Sequence, residues 1–345
     1  MNEGRSEVKP ALQWLRARRW RLLVGTLLAG LLAINLVTWR HARAMSHFAR
    51  EGVRTASPEK LSAMGKVRVL LAGVTLPRPA NQRTPMDAGL KFETVRFSGA
   101  KGLRLEAWFV PAAPPSSNGI TLLFHGYGAS KESLLAAAGE FHALGWDTLL
   151  VDFHGSGGSE GNTTSVGWHE AEDVLAAFGA AARLAPGKRR VLYGTSMGAA
   201  ACLRAIHSLQ VRPDALILEC PFDRMLTTVQ HRFHAMHLPS FPLAELLVFW
   251  GGWHGGFNGF QHNPADYAPS VQCPTLLLHG AKDPRVSVAE VERIHARLGG
   301  SKALVVLPGL GHESYVTALP DVWRAQVRRH LSGAEGSPTA QQAAR

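Results

Sequence analysis

Six short apolar runs punctuate the chain: ITLLFHG (120–126), DTLLVDF (147–153), RVLYG (190–194), ALILEC (215–220), PTLLLHG (274–280) and KALVVL (302–307). Each run is continuously apolar rather than alternating, as a strand is when both of its faces are covered. Helical stretches at 130–144, 168–184, 198–209, 287–298 and 315–331 fall between or after them. Strands alternating with helices define a mostly parallel sheet with helices on both faces, and they exclude all-helical and all-β architectures. Upstream, KFETVRFSGA and LRLEAWFV do alternate, and they meet around 99–102. That predicts an antiparallel hairpin at the start of the sheet.

One interval breaks the rhythm. Residues 222–272 separate two strands by about fifty positions, too many for a simple crossover, so an inserted helical cap is expected there. Its Trp, Phe and Gly content suits an apolar lid over a pocket. The cap also holds His231, His234, His237 and His254. Three of these have H-x-x-H-x-x-H spacing, but no carboxylate or cysteine completes a ligand set, so no metal is expected.

The formal net charge is +11, yet the basic residues crowd the N-terminus and are scattered elsewhere. No basic helix interleaves with aromatic residues, which argues against a nucleic-acid partner. Cys202, Cys220 and Cys273 lie in apolar surroundings without C-x-x-C spacing and read as small buried hydrophobes.

Residues 22–39, LLVGTLLAGLLAINLVTW, carry no charge. As a helix they reach roughly 27 Å, close to the thickness of a bilayer core. Trp20 and Trp39, then Arg19 and Arg40, bracket the run as interfacial residues do. Two membrane readings stand. A signal peptide cleaved after Ala42-Arg43-Ala44 would release a secreted protein, whereas an uncleaved signal anchor would hold it as a single-pass membrane protein. The length of the run, and Arg40 and Arg43 at the cleavage site, favour the anchor. Arg16, Arg18, Arg19 and Arg21 favour an N-terminus inside and a globular domain outside.

In an open parallel sheet, chemistry gathers beyond the carboxyl ends of the strands. Gly194-Thr195-Ser196-Met197-Gly198 matches G-x-S-x-G at such an end, with a strand before it and small helix-forming residues after it. The pattern makes Ser196 a candidate nucleophile at the start of a helix, where free amides favour developing negative charge. A serine hydroxyl needs a base to take its proton and a carboxylate to orient that base. Asp283 follows PTLLLHG and His312 follows KALVVL, completing the order Ser, Asp, His. The amides of Met197 and of Tyr127, in the HGYG loop, are the expected oxyanion donors. Glu219 and Asp223 flank the cap and fit either a supporting or a structural role.

On these residues the chain resembles the α/β-hydrolase superfamily over about 90–331. It is most similar to the serine-aminopeptidase-like and membrane-anchored esterase branch. The stretch DFHGSGGSEG (152–161) is similar to that branch's D-x-R-G-x-G-x-S-x-G loop, with His154 where Arg is usual, and HNPADYAPSVQCPTLLLHGAKDPRV (262–286) resembles its segment leading to the acid. The resemblance implies an α/β-hydrolase fold with an antiparallel N-terminal hairpin, a helical cap and an N-terminal transmembrane helix.

The expected division is a basic tail (1–21), a signal anchor (22–39), a linker (40–89), a hydrolase domain (90–331) with its cap at 222–272, and a disordered tail (332–345). The expected activity is that of a serine hydrolase acting on an ester, thioester or amide of a small acyl substrate, with lipid permitted and no cofactor implied. A peptidase or an acyltransferase of the same fold, and a membrane-tethered binding module without catalysis, are the alternatives.

Overall fold

The six apolar runs form six adjacent strands, and the alternating pair joins their edge. In chain order the strands are β1 (Glu93–Ser98), β2 (Arg104–Val110), β3 (Ile120–Phe124), β4 (Asp147–Val151), β5 (Arg190–Thr195), β6 (Ala215–Glu219), β7 (Thr275–Gly280) and β8 (Lys302–Leu307). They lie side by side as β1-β2-β4-β3-β5-β6-β7-β8. β1 and β2 pair antiparallel, β2 joins β4 antiparallel, and the pairs from β4 to β8 are parallel. The computed structural model describes residues 8–56, 60–112 and 117–333.

The helices are α1 (Val8–Ser46), α2 (Ala63–Ala72), α3 (Leu135–Ala143), α4 (Glu170–Leu184), α5 (Met197–Leu209), α6 (Met225–Met236), α7 (Leu243–Gly255), α8 (Pro264–Tyr267), α9 (Val288–Arg297), α10 (Tyr315–Ala318) and α11 (Pro320–Gly333). Strand geometry explains the unbroken apolar runs. Along β3, Ile120, Leu122 and Phe124 enter a core shared with α4, α5 and α9, while Leu123 enters a second core shared with α3 and α11. Both faces are covered, so apolar residues predominate on each, with Thr121 the one polar residue of β3.

The interval 222–272 holds α6, α7 and α8, the helical insertion expected there. The N-terminal region differs from the expected division. α1 takes in residues 8–21, the whole of 22–39 and the first residues of the presumed linker, because 31–46 contains neither Pro nor Gly and Arg40 and Arg43 are good helix formers. Arg16–Ser46 is long and apolar enough to cross a membrane, and Leu23, Leu27 and Leu31 are exposed along it.

The presumed linker is bound to the domain. Arg78 donates to the carbonyls of Gly157 at 2.8 Å and Gly161 at 3.1 Å, and Asn81 donates to Asp152 at 2.9 Å. Of the expected disordered tail, Ser332 and Gly333 close α11 and the remainder lies outside the described residues.

Candidate active site

Ser196 sits between β5 and α5 with φ 51° and ψ −110°, a conformation costly for a residue with a Cβ. The two glycines of the motif explain how the chain can turn there. A Cβ on Gly194 would lie 2.7 Å from the amide nitrogen of Ala199, and one on Gly198 would lie 2.4 Å from the carbonyl oxygen of Phe124. Strand and helix can therefore approach each other only without side chains at these two positions. The Ser196 amide donates to the Glu219 carbonyl at 2.8 Å, which fixes the turn to the end of β6. Met197 opens α5, so its amide is among those a helix leaves without an internal acceptor.

Asp283 and His312 come from the loops after β7 and β8, and the structure brings both to Ser196. His312 Nδ1 is 2.6 Å from Asp283 Oδ2, and His312 Nε2 is 3.2 Å from Ser196 Oγ. With the proton on Nδ1 donated to the carboxylate, Nε2 is left to accept from the hydroxyl. The other Asp283 oxygen accepts from the amides of Arg285 at 2.8 Å and Val286 at 3.1 Å. Burial opposes ionisation of Asp283, but the bond to His312 and these amides outweigh it and hold the carboxyl below its ordinary range.

For His312, burial disfavours the cation while the Cys220 sulfur and the Asp283 carboxylate favour it, and the balance pushes the imidazole up to about 10. The Cys220 contribution exists only while that thiol is ionised. Cys220 Sγ lies 3.9 Å from His312 Nε2, a contact the sequence did not signal. Tyr315 was also missed. Its hydroxyl accepts from the Gly280 amide at 2.8 Å and donates to the Gly311 carbonyl at 3.2 Å, locking the end of β7 to the loop that carries His312. Its place directly after G-H-E-S was the available signal.

The HGYG loop abuts the turn at Ser196, and a Cβ on Gly126 would stand 3.7 Å from Ser196 Cβ. Tyr127 makes a contact not expected from sequence: its hydroxyl donates to the Met45 carbonyl in the last turn of α1 at 2.5 Å. Arg54 holds the same loop through the Gly128 carbonyl at 2.7 Å.

A cavity of about 440 Å³ opens over Ser196. Beside residues of the hydrolase domain such as Tyr127, Leu134 and Val286, its walls include α1 (Val37, His41, Met45), α2 (Val69, Leu70) and the cap (Phe233, Leu243, Leu247). This volume falls in the range of small-molecule sites.

The remaining candidates have structural partners. His154, standing where Arg was expected, is bonded to Asp173 at 2.6 Å. Burial works against its charge, but Asp173 and Glu170 prevail and push it up to about 9. Asp223 accepts from Arg293 Nε at 2.9 Å, and Glu219 accepts from Trp323 Nε1 at 2.6 Å. Three of the cap histidines are engaged separately, His231 with the Arg285 carbonyl at 2.8 Å, His237 with Lys66 at 3.3 Å and His254 with the Trp39 carbonyl at 3.2 Å, while the His234 ring stands 6.4 Å from that of His231.

An eight-stranded, mostly parallel sheet with a strained serine at the β5–α5 turn is the architecture of an α/β-hydrolase. A family model described as serine aminopeptidase, S33 matches residues 115–248, and the chain belongs to this family of α/β-hydrolases. An uncharacterized protein of Mycobacterium tuberculosis is 30% identical over 235 residues, covering 67% of this chain and 76% of the relative. An uncharacterized protein of Bacillus subtilis is 27% identical over 228 residues, covering 65% and 75%. Among solved structures, an esterase of Pyrococcus furiosus superposes with a TM-score of 0.62 at 23% identity, covering 74% of this chain and 96% of that one. A bacterial membrane phospholipase A superposes with a TM-score of 0.51 at 21% identity, covering 72% and 88%.

Proposed function

We propose that the protein is a membrane-anchored serine hydrolase that cleaves carboxylic esters. The observation that carries this reading is the chain of contacts from Asp283 through His312 to Ser196, opening on an apolar cavity. Ser196 Oγ attacks the ester carbonyl while His312 Nε2 takes its proton, and Asp283 steadies the imidazolium. The Tyr127 and Met197 amides receive the oxyanion. His312 returns the proton to the leaving alcohol, and water then releases the acid from the acyl-enzyme by the same steps.

Esters are favoured over peptides by the cavity's charges. Arg54, Arg232 and Arg285 line it against Glu219 and Glu313, so acidic groups do not dominate the space a substrate ammonium would occupy. Retention of α1 is favoured over cleavage because Val37 and His41 help to wall the cavity, and cutting after Ala44 would remove them. The arginines ahead of the span favour an N-terminus inside and the hydrolase domain outside.

The test is the Ser196→Ala variant of the full chain. It should lose labelling by a fluorophosphonate and hydrolysis of p-nitrophenyl butyrate, whereas the wild type shows both. Labelling of the variant at the wild-type rate would refute the assignment.

A further inference from the structure

The cavity above Ser196 is not built by the hydrolase domain alone. Val37, His41 and Met45 lie along the last turns of α1, and Val37 belongs to the same uncharged run that is long enough to span a bilayer. One continuous helix is thus both the candidate span and a wall of the reaction chamber.

The cap helix α7 packs directly against α1, with the His254 and Trp39 rings 5.4 Å apart. Its sequence LAELLVFWGGWHG carries a single acidic residue, Glu245, and no lysine or arginine. Leu243 and Leu247 face the cavity. On its outer side Phe249 is 47% and Trp253 69% exposed, with Phe241 exposed just before the helix and Phe260 just after it. Isolated exposed apolar residues are ordinary. Large aromatics gathered on a helix that lies beside a span are the pattern of a segment resting in the membrane interface.

We infer that α7 lies in the bilayer interface and that the substrate is a long-chain acyl lipid taken from the membrane, its chain held between α1, α2 and α7 and its ester carbonyl at Ser196. This rests on the reading of Ser196 as nucleophile and α1 as a retained span. The reaction is the hydrolysis already described, in which the lipid ester and water give a fatty acid and an alcohol.

The experiment uses the full chain in phosphatidylcholine vesicles and compares kcat/KM for p-nitrophenyl palmitate, dissolved in the bilayer, with that for p-nitrophenyl butyrate, presented from water. Two variants probe the two surfaces: Phe249→Ser with Trp253→Ser outside, and Leu247→Trp inside. Each should lower the palmitate-to-butyrate ratio by about tenfold or more, the effect of withdrawing or blocking a large apolar contact. An unchanged ratio in both variants, including equal loss of the two activities, would overturn the inference. So would a wild-type protein that cleaves butyrate and leaves palmitate untouched, while the serine-hydrolase reading would survive. Failure of the wild type on both esters, with no fluorophosphonate labelling, would remove both readings together.

Discussion

Glu219 ends the strand beside the Ser196 turn, and its carboxyl is enclosed, accepting from Trp323 Nε1 and from the Tyr193 hydroxyl. Burial outweighs both bonds and raises it from 4.5 to about 7. The folded protein therefore holds a proton there that the unfolded chain has lost. Below pH 4.5 both states are protonated and the contribution to stability is whole. As pH rises toward 7 the unfolded chain ionises first, so stability falls, and it levels once the folded carboxyl also ionises. A difference of this size corresponds to about 3 kcal/mol. In a domain of this length that is on the order of 6–12 °C in Tm.

Glu219→Gln removes the titration while keeping an acceptor for Trp323. Thermal unfolding of the full chain in detergent at pH 5 and pH 8 should show the wild type losing several degrees more than the variant. Equal losses in the two proteins would refute the argument that the enclosed carboxyl is held neutral.

Asp283→Asn should leave the fold intact and lower kcat by about three to four orders of magnitude, measured on p-nitrophenyl butyrate, because the imidazole loses the partner that orients it. His154→Ala should destabilise the protein most below pH 6.5. That deficit should shrink as pH rises toward about 9, where the native imidazole itself discharges, and urea unfolding at pH 6 and pH 10 measures it.

The strands were legible because a sheet covered on both faces draws mostly on apolar residues, and the runs are too short for a typical helix. Ser196, Asp283 and His312 were legible for a related reason: each follows one of those runs, and a parallel sheet collects the loops after its strands at one edge. Cys220 also lies just after a strand and Tyr315 opens α10 just after His312, but their roles depend on distances across the fold: Cys220 to His312, and Tyr315 to Gly280. α1 runs past the uncharged stretch because Arg40 and Arg43, which bound that stretch, are good helix formers. A boundary in solvation need not be a boundary in the backbone. His154 replaces a familiar arginine, and Asp173 explains how an imidazole can remain a cation there.

The hydrogen bond from Tyr127 to the Met45 carbonyl changes what a soluble version of this protein would be. A fragment beginning after Ser46 would differ from the full chain by more than the loss of an apolar helix. It would have a cavity open on one side, and the loop that carries Tyr127 would keep its bond to Arg54 but lose its bond to Met45. The end of α1 is part of the enclosure around Ser196, and rates measured without it would describe a different molecule.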